Sequence, residues 1–389
     1  MESLRIKAHI LAISFMLICC LGINASDEDL TTEQVTVYLS KAGTLFEKID
    51  SSKKYRITNL KIIGEINGTD ISFIRDMAIQ DKTSTTTTDG GNLSILDLSE
   101  SKIVSGGDNI YYTTNNEIGE YMFKDCSGLT SINLPSGITS IGYGAFEYCN
   151  NLTSVNIQEG VTSIGHSAFN GCNVLTSINI PEGVTSIGEY AFTSCNELKE
   201  IDLPSSLTSI GFAAFEDCGL IYIKIPENVT YLPHQVFSYS DLASIDIPSS
   251  VTQIGMHAFD GCNLQSIGIP SSVSSIDERA FHNCTILTSI WVYWNNPISI
   301  TDNVFDGVDK QRCTLHVPQG TYSKYKEADV WGDFCIVEHA QTGINNPTTK
   351  EDAQETARYS VSGQRLNTPT KGFNIVKYDN GVVKKVVVK

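Results

Sequence analysis

The chain has 389 residues and a formal charge of −17. In residues 358–389 seven Lys and Arg stand against the single Asp379, a net +6 that leaves −23 on the remainder; a body that acidic repels phosphate backbones and argues against duplex nucleic acid as a partner. The length fits two or three ordinary domains or one elongated array, so internal repeats are the first thing to look for.

Residues 1–25 place Arg5 and Lys7 before an apolar run over 10–23, with Ala25 just ahead of Asp27-Glu28-Asp29. That is the layout of a secretory signal peptide, and the run is shorter than the roughly 20 apolar residues a membrane span needs. Cys20 after Leu17-Ile18-Cys19 offers lipoprotein anchoring as an alternative, although Cys19 stands where a small residue is expected. The protein is therefore expected outside the cytoplasm, extracellular or on the outer cell surface, with no transmembrane span after cleavage. Residues 26–116 read as an irregular N-terminal cap. Ile57-x-x-Leu60-x-Ile62 and Leu93-x-x-Leu96-x-Leu98 alternate like strands, a helix is expected over 70–79, and 83–91 is a polar loop.

From residue 117 the chain repeats itself. Phe123, Phe146, Phe169, Phe192, Phe215, Phe237, Phe259, Phe281 and Phe305 are spaced by 23, 23, 23, 23, 22, 22, 22 and 24 residues. Within one copy, Leu175-x-x-Ile178-x-Ile180 alternates as a strand that Pro181 ends for want of an N–H. Val184-x-x-Ile187-Gly188 forms a second short run, and Ala191-Phe192 drops a large ring into the interior. Three apolar rows per copy cannot be buried by one copy alone, so the fold class expected is an α/β-type repeat solenoid: leucine-rich repeats of 22–23 residues stacked in a parallel β-sheet with irregular caps. Repeats occupy 117–312. A C-terminal cap follows at 313–339, where Cys313–Pro318 supplies a last strand and 320–334 a short helix carrying Tyr322, Tyr325, Trp331 and Phe334. Residues 340–357, rich in Thr, Asn, Gln and Glu, read as a linker, and 358–389 as a β tail.

Nine cysteines remain beyond the signal segment, and seven of them stand three residues after a repeat Phe, with Ser240 in the same slot of another copy. One structural address makes them a stacked column of small buried side chains; disulfides between copies are the alternative that an oxidising compartment leaves open. No C-x-x-C or C-x-x-H pair points to a metal. His166, His234, His257 and His282 fall in separate copies, so no metal site or triad follows from their spacing, and they read as solvated positions. No G-x-S-x-G elbow or phosphate loop occurs, so no catalytic, cofactor-binding or metal-binding residue is assigned and the chain is read as a non-enzyme.

Two outward columns of the strand carry the remaining information. One reads Asn133, Asn156, Asn179, Asp202, Lys224, Asp246, Gly268, Trp291; its companion reads Ser131, Ser154, Ser177, Glu200, Tyr222, Ser244, Ser266, Ser289. The first three copies are monotonous and the later ones vary, gaining aromatic residues of the kind recognition surfaces use. The candidate ligand-binding patch is Tyr222, Lys224, Tyr231, Asp246, Trp291 and Trp294; the competing reading is that Trp291, Tyr293 and Trp294 roof the last regular copy beneath the C-terminal cap.

The unit L-T-S-I-x-I-P-x-x-V-T-S-I-G-x-x-A-F-x-x-C resembles the BspA-like leucine-rich repeats of bacterial surface proteins, of Bacteroidetes type. The tail Arg358-Tyr359-Ser360 to Lys384-Lys385-Val386-Val387-Val388-Lys389 is similar to the C-terminal sorting domains of the type IX secretion system, though shorter. These resemblances imply an exported, adhesin-like module, expected as a monomer, that binds a host or bacterial surface protein or glycan without a cofactor. A structural spacer with no specific ligand, or a carbohydrate-processing accessory protein, are the alternatives.

Overall fold

One copy of the repeat has too little apolar surface to close on itself, and the chain answers by stacking. The computed structural model describes residues 30–80, 91–107, 111–339, 355–360, 365–378 and 383–388; the 1–25 segment that reads as a signal peptide, nearly all of the 83–91 loop and most of the 340–357 linker lie outside them. The cap begins with parallel strands β1 (Val35–Leu39), β2 (Asn59–Ile66) and β3 (Ile95–Ile103). Helix α1 (Leu45–Lys48) follows β1, and α2 (Gly68–Ala78) joins β2 to the polar loop, close to the expected 70–79. Asn67 caps α2 by accepting from Thr69 N, as short polar side chains do at helix starts. Asp70 is 1% exposed and accepts from the backbone N–H groups of Gly43, Leu45 and Asn67 at 2.6, 2.9 and 3.0 Å, so its burial is matched by hydrogen bonds.

The repeats continue this sheet. The Leu-x-x-Ile-x-Ile strands form a first parallel ladder, in register Ser131↔Ser154↔Ser177 and Asn133↔Asn156↔Asn179. The Ser-Ile pairs after each proline form a second parallel ladder, from Glu117–Ile118 through Ser140–Ile141, Ser163–Ile164 and Ser186–Ile187 to Ser209–Ile210. The third side of each copy is turns; among the described residues from 117 to 312 the only helical segment is the 3-10 turn Asp302–Phe305. A period of 22–23 leaves no residues for a helix once two strands and their turns are made.

Inside, the nine repeat phenylalanines stack in one file, neighbouring centroids 5.2–5.7 Å apart. Beside them run the cysteines, free and buried except for exposed Cys335. Cys149, Cys172 and Cys195 each donate from Sγ to the carbonyl of the Phe in the preceding copy, at 3.0, 3.2 and 3.3 Å. Burial pushes the thiols of Cys126, Cys172, Cys218 and Cys262 up to about 12. Outside, threonines form two hydrogen-bonded files, for example Thr176 Oγ1 to Thr153 O and Thr185 Oγ1 to Thr162 O.

At the C-terminal end, strands Thr314–Pro318 and Cys335–His339 extend the first ladder, and helix α3 (Tyr322–Lys326) with a 3-10 turn at Trp331–Asp333 closes the core. Trp331 meets Phe305 and Phe334 edge-on or tilted, and Tyr325 Oη donates to Trp294 O. A separate antiparallel sheet follows, Arg365–Leu366, Glu355–Ser360, Gly372–Tyr378 and Val383–Val388 in spatial order. Its first strand starts at Glu355, inside the segment that composition reads as linker. Among the described residues no helix is long and apolar enough to cross a membrane.

Candidate partner-binding face

The first ladder is interrupted where the copies begin to differ. Regular pairing stops at Ser177–Asn179; Tyr222–Lys224 then pairs only with Ser244–Asp246, Ser266–Ile269 begins a further sheet, and copy four is joined by the single bridge Glu200↔Tyr222. Two shallow depressions meet there. One of about 370 Å³ runs over Asn133, Asn156 and Asn179; the other, of about 380 Å³, lies between Glu182, Tyr222 and Lys224; both include Glu200, Ile201 and Asp202. Glu182 accepts from Ser205 N, Ser205 Oγ and Ser206 N, and the Ser205 bonds hold its carboxyl below its ordinary value. The rim is acidic, with Lys224 as an exposed cation across from Asp246 in register.

The six patch residues separate into three groups. Tyr222, Lys224 and Asp246 stand together: Tyr222 Oη donates to Asp246 Oδ2 at 2.8 Å, and burial first, then the Asp246 charge, raise the phenol well above its ordinary value. Trp291 shares their sheet side at the far end, stacked on His316 at 3.9 Å and tilted against His339 at 4.6 Å. Tyr231 and Trp294 do not join them. Tyr231 belongs to the second ladder, its ring edge-on to His234, because it sits in the short run after Pro226. Trp294 is 7% exposed, its indole N–H donates to Val273 O, and its ring meets Trp331; it roofs the last copy, as the competing reading held.

Three arrangements were missed in the sequence. His316 and His339 approach at 2.6 Å, Nδ1 to Nε2, beneath Trp291; reading the outward column one copy further reaches His316, which is in register with Trp291. His257 and His282, placed apart by their offsets, both bond through Nδ1 to Asp260 at 2.8 Å, and Asp260 is 3% exposed. They differ in offset because one precedes and one follows the ring of its own copy, so a shared carboxylate between copies was invisible to slot counting. Tyr121, Tyr143, His166, Tyr190 and Phe212 form a continuous file of ring contacts, 4.8–5.4 Å apart, in the slots after the repeated Gly. Among the described residues no group of three or more His, Cys, Asp or Glu is arranged to hold a metal.

The C-terminal sheet lies against this face. Ile375 packs with Ile221, with Tyr359, Tyr222 and Ala243 around them, and Tyr359 Oη donates to Gln265 Oε1 at 3.4 Å.

The sequence profile described as "BspA type Leucine rich repeat region" matches this chain in six copies, over residues 116–243 and 232–319, together more than half of its length. Among solved structures the chain is similar to a leucine-rich repeat protein from Bacteroides ovatus ATCC 8483, at 26% identity, covering 67% of each chain, with a TM-score of 0.48. It is also similar to the T. pallidum leucine-rich repeat protein TpLRR, at 26% identity, covering 48% of this chain and 76% of that one, with a TM-score of 0.37. A leucine-rich cell surface protein from Faecalibacterium prausnitzii A2-165 is 20% identical, covering 75% of this chain and 89% of that one, with a TM-score of 0.33. No curated protein matches.

Proposed function

Because this chain belongs to the BspA-type leucine-rich repeat family, we propose that it is a non-enzymatic, adhesin-like module that reads a surface protein or glycan with the broken stretch of its first ladder. The observation that carries this reading is the change of one column. Three Asn residues stacked in register, Asn133, Asn156 and Asn179, give way at the interruption to Asp202, Lys224 and Asp246. Identical residues in a stack serve the stack; residues that differ from copy to copy on the outward side of the sheet serve something other than the stack. Tyr222 held against Asp246 is a rigid aromatic anchor of the type that dominates interface energetics, and Trp291 on its histidine pair is a second, further along the Asp246 column in the next sheet.

Export by the N-terminal segment and surface delivery by the C-terminal sheet belong to the same proposal. Fractionation of native cells with protease treatment of the intact surface tests them; a protein found only inside sealed cells overturns them. The binding reading is tested by probing arrayed matrix proteins and mucin glycans with the full chain and its variants. Tyr222→Ala and Lys224→Glu should each weaken a captured ligand by about tenfold or more, while Asn156→Ala changes little. Binding that survives both substitutions unchanged sinks the patch.

A further inference from the structure

The outward threonine file along the first ladder is interrupted over four consecutive copies. Thr130, Thr153 and Thr176 donate from Oγ1 to carbonyls of the preceding copy at 3.0, 2.9 and 3.1 Å, and Thr288 resumes the pattern on Gln265 O at 3.1 Å. Between them the same slot holds Lys199, Ile221, Ala243 and Gln265. Ile221 and Ala243 have given up the hydroxyl, and an outward Ile in a file of threonines calls for something to cover it.

The C-terminal sheet supplies that cover at the very slots that changed. Ile375 meets Ile221, Ala243 lies in the same apolar contact, and Gln265 accepts from Tyr359 Oη. The strand Val383–Val388 lies alongside Ser244–Asp246. An internal control comes from the serine column beside it. Ser131 and Ser154 are half-buried and Ser177 is exposed, whereas Ser244 and Ser266 in the same slot are each 6% exposed. Charge agrees with shape, since residues 358–389 carry +6 against −23 on the rest. Within the sheet, Arg358 donates to Asn374 Oδ1, and Asn374, fully buried, also bonds Thr370, so a packed polar centre stands behind Ile375.

We propose that the C-terminal four-stranded sheet is an intramolecular cover for the central stretch of the first ladder, seated on Ile221, Ala243 and Gln265, so that a partner and the sheet compete for Tyr222 and Asp246. The consequence for a partner rests on the binding reading above; the cover itself does not. Two occupants cannot share the Tyr222–Asp246 surface, so binding requires the sheet to lift, and any event that removes or displaces residues 355–388 turns the face on.

Site-resolved thiol labelling of the full folded chain tests the cover without any ligand. Ser244→Cys and Ser177→Cys place the same thiol in one column, under the sheet and outside it; the Ser244 hydroxyl makes no hydrogen bond, so its replacement breaks none. Labelling of the introduced thiol is read by peptide mass. The thiol at 244 should react about tenfold or more slowly than that at 177, because it reacts only in the lifted state. Adding Ile375→Asp should bring the two rates together, whether that substitution undocks the sheet or unfolds it. Equal rates without Ile375→Asp overturn the cover and leave the binding reading standing. A slow rate at 244 that persists with Ile375→Asp also overturns it, since the Tyr222 ring alone would then be the shield.

Discussion

Replacing Phe192 by Ala removes one ring from the middle of the file. Phe192 is fully buried, stacked on Phe169 at 5.4 Å and on Phe215 at 5.5 Å with interplanar angles of 6° and 3°. The lost transfer energy and the cavity together cost about 3–5 kcal/mol for a buried Phe. Within that total, each ring-on-ring contact contributes on the order of 0.5–1.5 kcal/mol. Because copies touch only their neighbours, the coupling is local. Phe192→Ala with Phe215→Ala should therefore cost less than the sum of the singles by about 0.5–1.5 kcal/mol, the shared stack being counted twice. Phe146→Ala with Phe259→Ala, far apart in the file, should add within about 0.5 kcal/mol. Urea unfolding followed by circular dichroism gives midpoints for all six variants. An unchanged midpoint for Phe192→Ala, or a coupling as large for the distant pair as for the adjacent one, refutes the picture of a file with nearest-neighbour contacts.

Gly261 has φ +70°, and a Cβ added there would stand 2.8 Å from Tyr239 Cδ1, so Gly261→Ala should cost about 1–2 kcal/mol from the left-handed backbone alone. Pairing it with Tyr239→Ala should leave only that backbone cost, measured by denaturant midpoint; a double variant worse than the single contradicts the contact. The cysteines from Cys126 to Cys335 should all react in denatured, unreduced protein, while in the native fold only the exposed Cys335 reacts readily; two or fewer reactive thiols after denaturation would refute the free column. Burial lowers the His339 imidazole below its ordinary 6.5, so the folded state favours the neutral ring. Its contribution to stability is present above about pH 6.5 and is lost as the pH falls through the folded value. The C-terminal cap should loosen on acidification, and His339→Gln should flatten that dependence; an identical acid profile in the variant would count against it.

The fold was legible because the repeat states its own period, and each apolar slot has one destination. Phe192 and Cys195 follow from spacing, as do the strands at Ser177–Asn179 and Ser186–Ile187. The site was only partly legible, since side-chain neighbours in a solenoid come from adjacent copies. Slot counting paired Lys224 with Asp246 correctly because both occupy one column. It misplaced Tyr231, whose aromatic character says nothing about which ladder it joins, and Trp294, whose burial depends on Tyr325 and Trp331 some thirty residues on. The bond of His282 to Asp260 crosses from one copy to the next, a relation that no single slot records. The left-handed residues escaped notice for another reason. Tyr148, Ser194, Asp217 and Tyr239 stand in the slot before the Cys or Ser with φ between 50° and 59°, a slot that Gly171 and Gly261 also fill. Glycine in two copies was the available signal, and Tyr148 or Tyr239 lying over the glycine of the next copy concealed it.

The interruption of the first ladder coincides with a change in chain length. The turn Cys195-Asn196-Glu197-Leu198 has two residues between Cys and Leu; Cys218-Gly219-Leu220 has one, and the Phe spacing falls from 23 to 22 there. The shortened turn draws Gly219 so close to copy four that a Cβ would stand 1.9 Å from Asn196 O. In the same copy Cys218 Sγ donates to Cys195 O at 3.4 Å rather than to a Phe carbonyl. The columns stay in register across the shortened turn, with Glu200 bridging Tyr222, so the missing residue alters how the next strand is led in rather than which residues face each other. Inserting one Asn between Gly219 and Leu220 should therefore let copy four pair on both sides, raising the protection of the Ile201–Leu203 amides toward that of Ile178–Ile180 in hydrogen exchange. The same variant should lose the depression between Glu182 and Lys224, and with it any ligand that the unaltered chain captures. Amides at 201–203 that exchange as before would mean that the short turn is not what holds the ladder open.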